Sequence, residues 1–219
     1  MANDFVTPQT LRFLRELAAN NEREWFNANK QRYLDDVRDP LLRFVDHAAA
    51  PLAKISRHLR ADSRPVGGSL FRIHRDTRFS LDKRPYKTAA GVHFRHDAEG
   101  DVHGPGYYLH VEPGQCFVAG GMWRPPSEGL RAVRDAIVAR PAAWRRVLGA
   151  VELDEGGEDA RLKRPPQGYD AAHPLVEDLK RKSFTVSRPL SDAQVCAADF
   201  PRRFVAACQE MTPLMAFLC

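Results

Sequence analysis

The stretch that most limits the fold is Tyr107-Tyr108-Leu109-His110-Val111-Glu112-Pro113-Gly114. Tyr107, Leu109 and Val111 alternate with Tyr108, His110 and Glu112, which is the period of a strand with one buried face. Pro113-Gly114 is a turn dipeptide, and Gln115 to Gly121 returns as a partner strand. Hairpin spacing of this kind builds an antiparallel sheet. Upstream, Ala90, Val92 and Phe94 alternate with Gly91, His93 and Arg95, and Phe71 and Ile73 alternate with Arg72 and His74. Downstream, Ser183 to Ser187 reads as one further strand.

Both flanks switch to helical spacing. Thr7 is placed to cap a helix that has Pro8 at its first position, where a missing N–H is harmless. Leu11, Leu14 and Ala18 follow on one face, and Asn20-Asn21 ends the run. A second helix carries Trp25, Phe26, Tyr33, Leu34 and Val37. A third follows Asp39-Pro40, with a kink or break expected at Pro51. Residues 127–149 are helical with a break at Arg140-Pro141. A short helix near Leu175 to Lys180 and a C-terminal helix interrupted by Pro213 complete the chain. The acidic run 152–159 reads as a solvated loop. The expected class is α+β: a mainly antiparallel sheet, about residues 69–121 plus 183–187, packed with N-terminal and C-terminal helices. No Pro/Gly/Ser linker divides the 219 residues, so one domain over 1–219 is expected.

Charge is unevenly placed. The chain has 33 Lys and Arg against 28 Asp and Glu, a net +5. The segment Arg72 to Lys87 alone holds six Lys or Arg and two Asp, a net +4. It falls between two strand patterns, as a loop of roughly a dozen residues, longer than most connections. Arg72, Arg75, Arg78, Lys83 and Lys87 suit phosphate or carboxylate, because guanidinium offers a planar fork of donors. Asp76 and Asp82 have three possible uses: orienting those arginines, binding a divalent cation such as Mg²⁺, or acting as a general base.

The polar face of the expected sheet gathers Arg72, His74, His93, Arg95, Tyr108, His110 and Glu112. His110 and Glu112, two apart on a strand, point the same way and form a candidate acid/base pair. His93, His96 and His103 lie close in sequence, but His93 and His96 are three apart on a strand and face opposite ways. No zinc-type spacing exists, so no transition-metal site is expected. Walker, dinucleotide and G-x-S-x-G signatures are also absent. Trp25, Phe26 and Tyr33, at helical spacing, are expected in the core.

The N-terminus has no basic-then-apolar leader, and no apolar run reaches roughly eighteen residues. The four cysteines lack paired spacing and are expected as free thiols in a reducing cytoplasm, with Cys116 and Cys208 in the core.

Arg72-x-x-Arg75-Asp76-x-Arg78-Phe79-x-x-Asp82-Lys83-x-x-Tyr86 resembles the signature of an uncharacterised bacterial and fungal family, known only as a domain of unknown function. Asn20-Asn21-x-x-x-Trp25-Phe26, the hairpin around Pro113-Gly114 with Gly120-Gly121-Met122, and Leu179-Lys180-x-Lys182-Ser183-Phe184 resemble other parts of it. The resemblance implies one family domain along the chain. It implies no activity.

Three functions remain open at this level. The first is binding of a phosphorylated or polyanionic ligand, a nucleotide or nucleic acid, in a basic cleft. Arg72, Arg75, Arg78, Asp82, Lys83, Tyr86, Lys87 and Tyr108 would line it. The second is a phosphate-ester hydrolase or transferase. Asp76, Asp82 or Glu112 would act as base or Mg²⁺ ligand and His110 as acid. The third is a structural or interaction protein whose arginines and aspartates pair internally. Cofactor and oligomeric state are not specified by the residues, and no membrane partner is expected.

Overall fold

A computed structural model describes residues 3–97 and 104–219. His103 lies outside the described residues.

Four strands form one antiparallel sheet in the order β1 (Ala90–Arg95), β2 (Gly106–Val111), β3 (Cys116–Met122), β4 (Phe184–Leu190). The first three form a meander. β4 arrives from far along the chain and pairs with β3, Gly120 facing Val186. The class is α+β, with helices from both ends of the chain flanking the sheet.

Period two decides which face is buried. Val92, Phe94, Tyr107, Leu109, Val111, Val118, Phe184 and Val186 are buried on one side. Against them pack α4 (Asp39–Ile55), α9 (Phe200–Glu210) and α10 (Thr212–Leu218). Phe44 of α4 meets Phe94 at 6.2 Å, Phe200 at 5.2 Å and Phe204 at 5.1 Å between ring centroids. Truncating one such ring to Ala removes about 3–5 kcal/mol through lost transfer energy and the cavity left behind. Cys116 and Cys208 are buried, and all four cysteines are free thiols.

The helix signals act as read at several points. Thr7 caps α1 (Pro8–Ala19) in a reciprocal box with Thr10. Arg140 divides α5 (Ser127–Ala139) from α6 (Pro141–Ala150). Pro51 does not break α4, which runs through it to Ile55. The second helix is split instead, into α2 (Arg23–Ala28) and α3 (Lys30–Tyr33) followed by a π-helical turn Leu34–Arg38. Phe26 is buried, and Trp25 and Tyr33 pack partly buried against the core.

Two expectations change. Ser69 to His74 is not a full strand. It makes single bridges, Leu70 to Val92 on the outer edge of β1 and then His74 to Tyr86. Its alternation is satisfied by two short pairings with different partners. The acidic run 152–159 is not simply solvated either. Asp154 accepts from Thr185 Oγ1 at 2.7 Å, Ser187 N at 2.9 Å and Ser187 Oγ at 2.9 Å, fastening the run to β4. Among the described residues, no helix is long and apolar enough to cross a membrane.

Candidate functional site

The loop from 72 to 87 folds back on itself. Arg75 N donates to Pro85 O and Lys87 N to Ile73 O, both at 2.8 Å. Asn21, between α1 and α2, clamps the returning limb from both sides: its Nδ2 donates to Tyr86 O at 3.0 Å and its Oδ1 accepts from Tyr86 N at 3.0 Å. The Tyr86 ring is buried and stacks on Phe26 at 4.1 Å. The limb then runs through Thr88 into β1, alongside the polar end of β2.

A cleft of about 380 Å³ opens between this limb and the sheet. Its floor is β2. Tyr108, His110 and Glu112 project from one face and form a chain. Tyr108 Oη lies 3.0 Å from His110 Nδ1, and His110 Nε2 lies 3.1 Å from Glu112 Oε2. Thr88 Oγ1 donates to Glu112 Oε1 at 2.8 Å. The His110 ring stacks on Phe117 of β3 at 4.7 Å. Gly91 faces His110 across the β1–β2 pairing, and a Cβ there would stand 2.4 Å from Tyr108 Oη, so glycine gives the phenol its place.

The electrostatics of the cleft follow from burial. Burial alone would raise the Glu112 carboxyl, but hydrogen bonds from His110 and Thr88 outweigh it and hold its pKa below the usual value. Burial, with the Glu112 charge nearby, pushes Tyr108 up to about 12. Lys87 lies over the Phe71 ring at 5.2 Å. Burial, aided by the Arg72 charge, pulls its ammonium below the ordinary value.

The charged part of the loop is built differently. Asp76-x-Arg78 and Asp82-x-Arg84 share one local geometry. In each, the aspartate accepts from the backbone N–H of the arginine two residues on, at 3.2 and 3.0 Å, and then from its guanidinium. Asp62-x-Arg64 repeats it outside the loop. Arg75 Nη1 adds a 2.6 Å bond to Asp82. Arg78 holds Asp76 down at about 2, and Arg84 with Arg75 holds Asp82 well below the carboxylate range.

Of the candidate site residues, Arg75, Asp82, Tyr86, Lys87, Tyr108, His110 and Glu112 line this cleft. Asp76, Arg72, Arg78 and Lys83 do not. Asp76 and Arg78 pair with each other at the exposed tip, and Lys83 Nζ donates to Thr77 O at 3.0 Å. His74 turns towards Phe26 and Tyr86, beside a second cleft of about 310 Å³. Three residues that matter here carried no sequence signal strong enough to single them out. Arg84 was hidden in the charge run, Thr88 looked like a strand start, and Asn21 looked like a helix stop.

A second convergence was invisible in the sequence. His58, His96 and Asp97 bring three ligand-type atoms within 4.8 Å of one another, a geometry that could hold a metal ion. Arg57 Nε donates to His58 Nε2 at 3.1 Å and Arg60 Nη2 to Asp97 Oδ2 at 2.9 Å, so arginines already engage two of the three residues.

Comparison with curated proteins and with solved structures finds no match to either. The family described as Conserved hypothetical protein (DUF2461) matches residues 9–217, a span that includes the clamp, the charged loop, the hairpin and the C-terminal helices. The chain therefore belongs to the DUF2461 family of conserved hypothetical proteins.

Proposed function

We infer that the protein binds a small phosphorylated molecule in the cleft between the returning limb and β2. The observation that carries this reading is Lys87. Its ammonium is partly desolvated and lies over an aromatic ring, and among the described residues no carboxylate is within ion-pair distance of it. A partly desolvated cation beside an open cleft gains more than a fully hydrated one when an anion arrives. The cleft is at the small end of the range for ligand sites. Much of the rest of the loop's positive charge is spent on its own aspartates. Both points favour a nucleotide or sugar phosphate over a nucleic-acid strand. Arg75 and Arg84 stand at the rim, where exchanging Asp82 for a phosphate is open to them.

A thermal-shift screen tests this directly, using inorganic phosphate, nucleotides, sugar phosphates and short oligonucleotides. A ligand at a hundred times its dissociation constant stabilises by about 2.7 kcal/mol. A shift with small phosphates that is lost in Lys87→Gln supports the reading. A shift only with oligonucleotides, steeply weakened by salt, would replace it with nucleic-acid binding. No shift with any anion would leave the loop as an internal ion-pair network.

The hydrogen-bonded chain on β2 favours a second reading, hydrolysis or transfer at a phosphate ester, with His110 moving the proton. Asp76 is turned to Arg78 and lies outside the cleft, so this reading rests on His110 and Glu112. It predicts that p-nitrophenyl phosphate turnover survives Asp76→Asn and is lost in His110→Asn.

A further inference from the structure

The hydrogen bonds around His110 fix where its protons are. Glu112 is held in its carboxylate form and only accepts: Oε1 from Thr88 and Oε2 from His110 Nε2. Nε2 must therefore carry a proton. When the imidazole is neutral, Nδ1 is bare and can only accept. Tyr108 then has to point its O–H at Nδ1, along the 3.0 Å contact. The cleft sees only the phenol's lone pairs, which repel an anion.

Protonation reverses the chain. Imidazolium donates from both nitrogens, so Nδ1–H occupies a lone pair of Tyr108 Oη. The phenol proton must leave that contact, and because Tyr108 lines the cleft its hydroxyl can turn to it. Tyr108 becomes a donor aimed at whatever lies beside Lys87.

We propose that anion binding in this cleft is coupled to protonation of His110, with Tyr108 as the donor that the proton switches on. The proposal deepens the phosphate-binding reading and rests on it. One proton and one anion enter together, the proton on Nδ1 and the anion on Tyr108 Oη–H and the Lys87 ammonium. Glu112 stabilises the imidazolium from the far side. The charged and titratable groups around His110 are accounted for. Tyr108 and Glu112 come from its own strand. Lys87, Arg75, Asp82 and Arg84 come from the loop lining the same cleft. Directly opposite His110, β1 and β3 present Gly91 and Phe117, which carry no charge; β1 also places the titratable His93 opposite Tyr108. The three loop cations oppose imidazolium in the empty cleft, and a bound anion removes that opposition. Linkage then makes the coupling reciprocal: the anion favours the proton as much as the proton favours the anion.

Sulfate is the probe, because its charge does not change between about pH 5 and pH 8, where an imidazole titrates. Calorimetric titration of the whole chain with sulfate, in two buffers of different ionisation enthalpy, counts the protons taken up. The expected result is uptake approaching about one proton per sulfate on the alkaline side of that range, with affinity falling up to about tenfold per pH unit. Tyr108→Phe keeps the ring against Phe71 and Phe117 and removes the switched donor. Its residual sulfate binding should be weaker at low pH and flat across the range. Sulfate binding by the wild type without proton uptake overturns the coupling and leaves the phosphate-binding reading standing. Tyr108→Phe with the wild-type pH dependence overturns the role of Tyr108. No sulfate or phosphate binding at any pH overturns both.

Discussion

Two regions of this protein are rich in arginine, and they use it in opposite ways. Around α7 (Val176–Leu179), Arg134 and Arg181 are buried. Arg134 Nε donates to Leu179 O at 2.7 Å and its Nη2 to Arg181 O at 3.2 Å. Arg181 donates to Asp154 O at 2.9 Å and pairs with Glu155 and Asp178. Most of these partners are distant in sequence, so the guanidinium groups tie α5, the acidic run and the approach to β4 into one body. In the loop 72–87, Arg78 and Arg84 pair with the aspartate two residues back, on the surface. They shape a turn and tie little else together. Lys87 is set between the two arrangements, half-buried and, among the described residues, without a carboxylate in ion-pair distance. A buried arginine that spans the fold is architecture, a surface arginine with its own aspartate is local stiffening, and a half-buried lysine beside a cleft is the feature on which the proposed ligand site rests.

Breaking the buried region should have the largest effect. Arg181→Ala leaves Asp178 and the Asp154 carbonyl without their partner and should cost about 3–5 kcal/mol, read as a lower urea midpoint. A change under about 1 kcal/mol would show that the buried arginines do not carry the fold. Lys87→Gln should weaken inorganic phosphate binding by roughly tenfold to a hundredfold, the worth of a charge-assisted hydrogen bond, while the urea midpoint holds or rises because a desolvated charge is gone. Loss of folding in that variant would move Lys87 to the architectural side. Smallest of all, Arg78→Ala should leave both phosphate affinity and melting temperature nearly unchanged, since an exposed pair contributes little. A large loss of affinity would mean that the loop tip reaches the ligand.

Alkaline titration checks the burial assigned to the cleft floor. Burial pushes Tyr33, Tyr107 and Tyr108 up to about 12, against an ordinary 10.0. The folded state then holds protons that the unfolded state has released. Stability from these groups is complete below about pH 10 and is lost as pH rises towards about 12. Phenolate absorbance should therefore appear together with unfolding in that window. Smooth ionisation of Tyr33, Tyr107 and Tyr108 near pH 10, with the fold intact, would place Tyr108 in solvent.

The parts of this account legible in the sequence are those written over short distances. The hairpin was readable because alternation across Tyr107 to Val111 meets a Pro-Gly turn, and the pairing of His110 with Glu112 follows from period two alone. Asn21 was unreadable as a clamp, because its partner Tyr86 is 65 residues away and nothing local distinguishes it from a helix stop. The same holds for Arg181 with Asp154, and for His58 with Asp97, 39 residues apart. Phe71 and Ile73 misled because alternation records which side chains are buried and is silent on which neighbour buries them. Charge density marked the loop 72–87, but it did not tell self-paired arginines from the lysine left over.

The most direct test of the cleft is a titration of the isotope-labelled wild-type protein with inorganic phosphate, followed residue by residue by NMR. The account predicts shifts concentrated at residues 87–91 and 108–112, including the His110 ring, with the tip at 76–80 quiet. No shifts, or shifts confined to that tip, would contradict it.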